Sequence, residues 1–220
     1  MDPDLVGEAI RRAVKRSGAS TRDVAIAISG DAAITKVIQL PKGLKDSELE
    51  EQVELQADQY ISFPMDEVAY DFEVIGPSER DPEANDVLLV ATRSENVDQR
   101  LAAVMGAGLT ARLVDVEAFA LENACRLLTH QMPDGGVNRA IALVDFGASS
   151  TTFSILDNLR VIYTRDFAFG GQQLTEDIMR TYGLTIEEAG RAKKEGGLPG
   201  NYQSEVLDPF IDDMTQQVSR

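Results

Sequence analysis

The stretch Ala140–Phe153, AIALVDFGASSTTF, constrains this chain's fold most. An apolar run closes on an acidic residue, Asp145, and then come Gly147 and a row of small hydroxyl residues. A second strand-like run, FSILDNLRVIYTRDF, leads to a helix that opens on Gly170 and Gly171. Apolar strand, Asp-x-Gly and Ser/Thr-rich hairpin, in that order, suit a loop that wraps a phosphate. Glycine lets the backbone approach closely, and successive N–H groups with hydroxyls can hold an anion. Asp145 could hold a metal ion through water. The pattern is neither a Walker P-loop nor a GxGxxG fingerprint, and neither of those occurs in the chain.

Charge and hydropathy narrow the function classes. There are 37 acidic and 21 basic residues, a formal charge of -16. Nucleic acid is an unsuitable partner, because phosphate neutralisation needs a basic face. Adsorption to anionic lipid by charge alone is disfavoured for the same reason. No apolar run approaches the roughly 18 residues that would span a membrane. The one cysteine, Cys125, falls in an apolar helical pattern with Ala118, Leu121, Ala124 and Leu128, which favours a buried structural thiol over a nucleophile. The lone His130 sits at the end of that pattern, where a contact with the helix dipole explains it.

Periodicity orders the chain as an α/β alternation. A helix is expected over residues 3–17, capped by Asp2, started by Pro3 and stopped by Gly18, with Leu5, Ala9, Ile10, Ala13 and Val14 as its apolar face. Strands are expected at Asp23–Ser29 and Ile34–Leu40. A long helix follows at Lys45–Ile61, with Leu49, Val53, Gln56 and Tyr60 on one side. Pro64 must end that helix, because it disfavours helical backbone at Phe63. A strand pair at Val68–Ile75 and Asp86–Thr92 precedes a helix at Ser94–Met105 with Ser94 as its cap. Then come a strand at Thr110–Val114 and a helix at Glu117–His130. Lys45–Glu54 reads as a solvated acidic face. Glu187 and Glu188, followed by Arg191, Lys193 and Lys194, give the acidic-first spacing of a surface helix.

VDFGASSTT resembles the second phosphate loop of the actin-like ATPase superfamily, which includes actin, Hsp70 and FtsA. Other segments narrow this: AITKVIQLPKGLKDSELEEQVELQADQYISFPMDEVAYDFEVIG, LVDVEAFALENA and RDFAFGGQQLTEDIMRTYGLTIEEAGRAKKEGGLP. Together they are similar to PilM, the FtsA-related family of type IV pilus assembly. The resemblance implies a partial actin-like (ribonuclease H-like) α/β fold with an inserted small α/β subdomain, 1C. Residues 1–31 would be part of subdomain 1A, 32–116 would be 1C, and 117–137 a helix returning to 1A and a linker. Residues 138–184 would be 2A, and 185–220 the start of 2B. The family's first Asp-x-Gly loop and its late Gly-Gly adenosine loop have no counterpart here, so the chain reads as a piece lacking both ends.

The resemblance also implies site residues. Asp145 and Gly147 match the family's Asp-x-Gly, with Ala148 beside them. Ser149, Ser150 and Thr151 match its hydroxyl-rich turn, Gly170, Gly171 and Gln172 its glycine pair, and Lys193 a lysine near the adenine. The implied ligand is ATP with Mg2+ in the complete protein, not held tightly by this stretch alone. Two departures oppose fast hydrolysis. Thr152 stands where relatives carry a second aspartate, and Gly190 where they often carry glutamate; phosphoryl transfer depends on such positioning. A second site is expected around QADQYISFP, where Gln56, Gln59, Tyr60 and Phe63 would border a groove between 1A and 1C. There the resemblance implies the cytoplasmic tail of a PilN-like inner-membrane protein, alongside other motor or platform proteins. The implied function is a cytoplasmic adaptor, peripheral on the inner membrane through its partners, in pilus assembly and twitching motility. The alternatives are an active ATPase or phosphotransferase on the same fold, for which no catalytic base can be nominated, and an FtsA-like cell-division filament.

Overall fold

The computed structural model describes residues 2–219. The chain divides into two units, one through Ala120 and one from Leu121.

The first unit opens with α1 (Pro3–Ser17). Asp2 Oδ1 accepts from the amides of Asp4 and Leu5, Pro3 needs no partner for a missing N–H, and Gly18 ends the helix at φ 70°. The expected apolar face is rotated. Leu5 is 65% exposed and Ala9 and Ala13 are also exposed, while Gly7 is buried and Val6, Ile10 and Val14 are half-buried. The reason is close packing on α3 (Ser94–Gly106): a Cβ on Gly7 would stand 2.9 Å from the Ala103 carbonyl oxygen. The missing side chain, not the largest one, sets the contact line. Arg93, not Ser94, holds the capping position of α3, and Ser94 is its first helical residue.

Next to this helix pair, β1 (Asp23–Ile28) and β5 (Thr110–Val116) form a parallel pair from Asp23↔Thr110 to Ile28↔Val116. Arg100 of α3 donates from Nε to the Ala27 carbonyl at 3.0 Å. Between them in sequence lies an antiparallel sheet of order β2-β4-β3, made of β2 (Ala33–Pro41), β3 (Val68–Pro77) and β4 (Ala84–Arg93). One face of this sheet is covered by α2 (Asp46–Tyr60), whose flanks are Lys45 and Ile61 as expected. Strand alternation sends Val87, Leu89 and Ala91 into a core with Ile38, Leu40, Val53, Ala57 and Ile61. Tyr60 does not join that core and is 42% exposed.

The second unit takes in most of α4 (Glu117–Leu127), which stops three residues short of the expected end; His130 falls in a following 3-10 turn. Cys125 is buried as expected. Glu122 fastens the helix to the sheet by accepting from the Val161 amide at 2.7 Å. That sheet is antiparallel, of order β6-β7-β8: β6 (Ala140–Phe146), β7 (Thr151–Asp157) and β8 (Arg160–Phe167). After it, α5 (Gly171–Tyr182) packs on α6 (Ile186–Glu195) through Leu174, Ile178 and Ala189, with Val206 further along the chain in the same cluster. A π-helical turn at Gln203–Leu207 then runs into α7 (Asp208–Val218), and Phe210 stacks on Phe169 at 5.0 Å.

Candidate phosphate loop and groove

The turn between β6 and β7 is built by its glycines. The Gly147 amide donates to the Ser150 carbonyl at 2.9 Å. The Gly171 amide donates to the Gly147 carbonyl at 3.0 Å, and the Gln172 amide to the Ala148 carbonyl at 2.7 Å. Thr151 is buried, and its hydroxyl donates to the Phe169 carbonyl at 2.7 Å. A Cβ on Gly170 would lie 2.6 Å from the Ala148 oxygen, closer than real side chains come. The loop is therefore clamped against the start of α5, and only glycine permits the approach.

This clamp divides the available donors. The first amides of α5, the usual anion site at a helix start, are spent on loop carbonyls. The amides of Ala148, Ser149 and Ser150 and the hydroxyls of Ser149 and Ser150 point to no acceptor among the described residues, and these residues are exposed. They form a compact set of donors for a phosphate. Asp145 is exposed at the end of β6, and its carboxylate makes no hydrogen bond or ion pair among the described residues. The donor set, the Gly147–Gly170 cradle and a free carboxylate together fit a phosphate group accompanied by a hydrated cation.

Asp145, Gly147, Ala148, Ser149, Ser150, Thr151, Gly170, Gly171 and Gln172 are thus brought together, with Thr151 as a strut. Lys193 has a structural duty. Its Nζ donates to the Gly171 carbonyl at 2.6 Å and the Thr175 hydroxyl at 2.8 Å, tying α6 to the first turn of α5. Burial, and then the neighbouring Lys194, lower its pKa.

The first unit carries a groove of about 620 Å3 on the face of the antiparallel sheet opposite α2. Its floor includes Leu88 and Val90 of β4, with Asp71 and Glu73 of β3 at the same level, and β5 supplies Leu113 and Asp115. Both β3 and β5 are edge strands, so each has a row of unpaired backbone groups. Gln56, Gln59, Tyr60 and Phe63 do not line this groove. They lie on α2 or just after it: Gln56 donates to the Gln39 carbonyl at 3.3 Å, and the Phe63 ring lies 4.0 Å beneath the Arg93 guanidinium. A signal for the groove was present in β4, whose run Val87–Ala91 is apolar at every position. A strand covered on one face alternates; a run like this needs cover on both. The acidic face of α2 is exposed as expected, and Glu50 and Glu54 border Tyr70. Burial, then Glu54 and Glu50, raise the pKa of its phenol.

The chain is similar to known proteins. A family model described as type IV pilus assembly protein PilM matches residues 1–220. The solved structure of a PilM-PilN type IV pilus biogenesis complex matches with a TM-score of 0.72 and 30% identity, covering 98% of this chain and 62% of that chain. The chain thus spans less than two thirds of that relative. Cell division protein FtsA of Bacillus subtilis (strain 168) is 38% identical over 60 residues, 27% of this chain and 14% of FtsA. Ethanolamine utilization protein EutJ from Carboxydothermus hydrogenoformans is similar with a TM-score of 0.43 and 25% identity over 56% of this chain and 41% of that chain. The actin-like α/β class expected from the sequence holds.

Proposed function

Because the chain belongs to the PilM family of type IV pilus assembly proteins, we propose that it works as an actin-like adaptor whose groove receives the cytoplasmic tail of a PilN-like inner-membrane protein. One observation carries this reading: β4 is apolar on both faces, and the face away from α2 is open to a groove walled by β5. An extended peptide lying there gains main-chain pairing from an edge strand and side-chain pockets from the apolar floor. Asp71, Glu73 and Asp115 favour a basic, membrane-proximal sequence, and such charge mainly raises the association rate. The partnership printed for the similar PilM-PilN complex supports the same occupant. No helix among the described residues is long and apolar enough to cross a membrane, which suits attachment to the inner membrane through a partner.

In this reading the phosphate loop holds ATP with Mg2+ in the complete protein. The cation would supply charge neutralisation of the phosphates, while Gly147–Ser150 supply amides and hydroxyls. Thr152, a hydroxyl where a second carboxylate would assist water attack, favours a nucleotide-loaded scaffold over an efficient ATPase.

The test is fluorescence polarisation of a labelled PilN-type N-terminal tail peptide titrated with this chain and with Leu88→Arg, which places a cation on the groove floor. Saturable binding of the native order only, weakened about tenfold or more by Leu88→Arg, is expected. Equal binding of a scrambled peptide would reject the adaptor reading.

A further inference from the structure

The turn that holds the proposed phosphate leads into a row of side chains with no part yet in the function. Asp145 on β6 pairs with Thr152 on β7, and Thr152 pairs with Asp166 on β8. Directly opposed residues of antiparallel strands project from the same face, so the three form one row across the loop end of the sheet. The Thr152 hydroxyl donates to Asp166 Oδ1 at 2.5 Å. Asp166 is half-buried, and no cationic partner faces it among the described residues. The position opposite Asp145 therefore carries no charge of its own, and the negative charge is displaced one strand further, to Asp166.

Spacing decides what such a row can do. Each opposed pair has its Cβ atoms about 5 Å apart, so those of Asp145 and Asp166 are separated by roughly 10 Å. That is too far for both carboxylates to ligate one ion directly at about 2.1 Å. It is close to the span of a hydrated Mg2+ whose waters donate to a carboxylate on either side, and Mg2+ keeps several waters. No group of three metal-ligating side chains exists among the described residues, so an ion here would arrive with its nucleotide.

We propose that Asp166, held in place by Thr152, is the second carboxylate that positions the hydrated cation of a nucleotide bound at Gly147–Ser150. The proposal rests on the nucleotide reading above and deepens it. Asp166 acts through water on the cation, so it is a positioning residue.

The test is a titration of the complete protein with fluorescent mant-ATP, in excess Mg2+ and in EDTA, with thermal melts of every variant. Asp166→Asn keeps an acceptor for the Thr152 hydroxyl, so its melting temperature should match the parent's. It should nevertheless lose the Mg2+-dependent gain in affinity, about tenfold or more, with its affinity in EDTA unchanged. Thr152→Val should lose part of the gain, and Asp166→Glu should restore part of it. A parent that binds no mant-ATP in either buffer overturns the nucleotide reading and this inference together. A parent whose binding ignores Mg2+, or an Asp166→Asn variant that keeps the full gain, overturns this inference alone and leaves the pair a cross-strand stabilising contact.

Discussion

Gly170 shows how far a single residue can be read from sequence. The glycine pair was legible as something a helix start near a nucleotide requires, but its actual constraint is the Ala148 carbonyl against which it packs. A Cβ there meets backbone at 2.6 Å, and backbone cannot swing aside. Gly170→Ala should therefore lower stability by about 1–3 kcal/mol and weaken mant-ATP binding through the displaced loop. Denaturant unfolding and the same titration check both, and an unchanged midpoint would show that the loop yields freely. Lys193 was legible as a lysine beside the site. What it touches was not, because the Gly171 carbonyl and Thr175 hydroxyl reach it only once α6 folds back on α5. Gln56 and Phe63 were expected to border a peptide groove, but their partners, Gln39 and Arg93, belong to other elements.

At the scale of elements, caps and periods were readable because they are local. Asp2 with Pro3 and Gly18 delimited α1, and α2 (Asp46–Tyr60) begins and ends one residue inside the expected span. The start of α6 is a capping box: the Thr185 amide and hydroxyl both donate to Glu188 Oε2 at 2.9 Å. The Thr185 amide, and then its hydroxyl, hold the Glu188 carboxyl below its ordinary value of 4.5. The ionised form is the one stabilised in the folded state. Its contribution is full above the unfolded value and is lost as pH falls through the lower, folded one. Glu188→Gln should melt at a lower temperature than the parent at neutral pH, and the gap should narrow as pH falls below the ordinary value of 4.5; thermal scans across a pH series decide it. The face that α1 buries was not legible, because apolar periodicity pointed to Leu5 whereas the close approach of α3 selects Gly7. Gly7→Ala would push into the Ala103 carbonyl at 2.9 Å. It should lower stability by about 1–3 kcal/mol, measured by urea unfolding, although alanine is the better helix former in isolation.

For the molecule as a whole, burial and charge give separate predictions. Leu89 is fully buried between α2 and the antiparallel sheet, and Leu89→Ala should destabilise the first unit by about 2–5 kcal/mol in chemical denaturation. The formal charge of -16 should make capture of a basic tail peptide faster at low salt and slower as added salt shortens the Debye length to about 8–10 Å. Stopped-flow rates across a salt series test this, and flat rates would mean that the groove recognises shape alone. By itself the sequence determined the α/β alternation, most element ends, the Gly147-containing hairpin of β6 and β7, and the family. Each rests on local chemistry: the side-chain period, cap hydrogen bonds, and glycine where backbone must approach backbone. Only the tertiary structure decided which face of α1 is buried, that β5 pairs with β1, where the groove lies, and that the Thr152 hydroxyl donates to Asp166. Those outcomes depend on which distant segments meet, and strand pairing and helix packing set those meetings through contacts that no local window of residues contains.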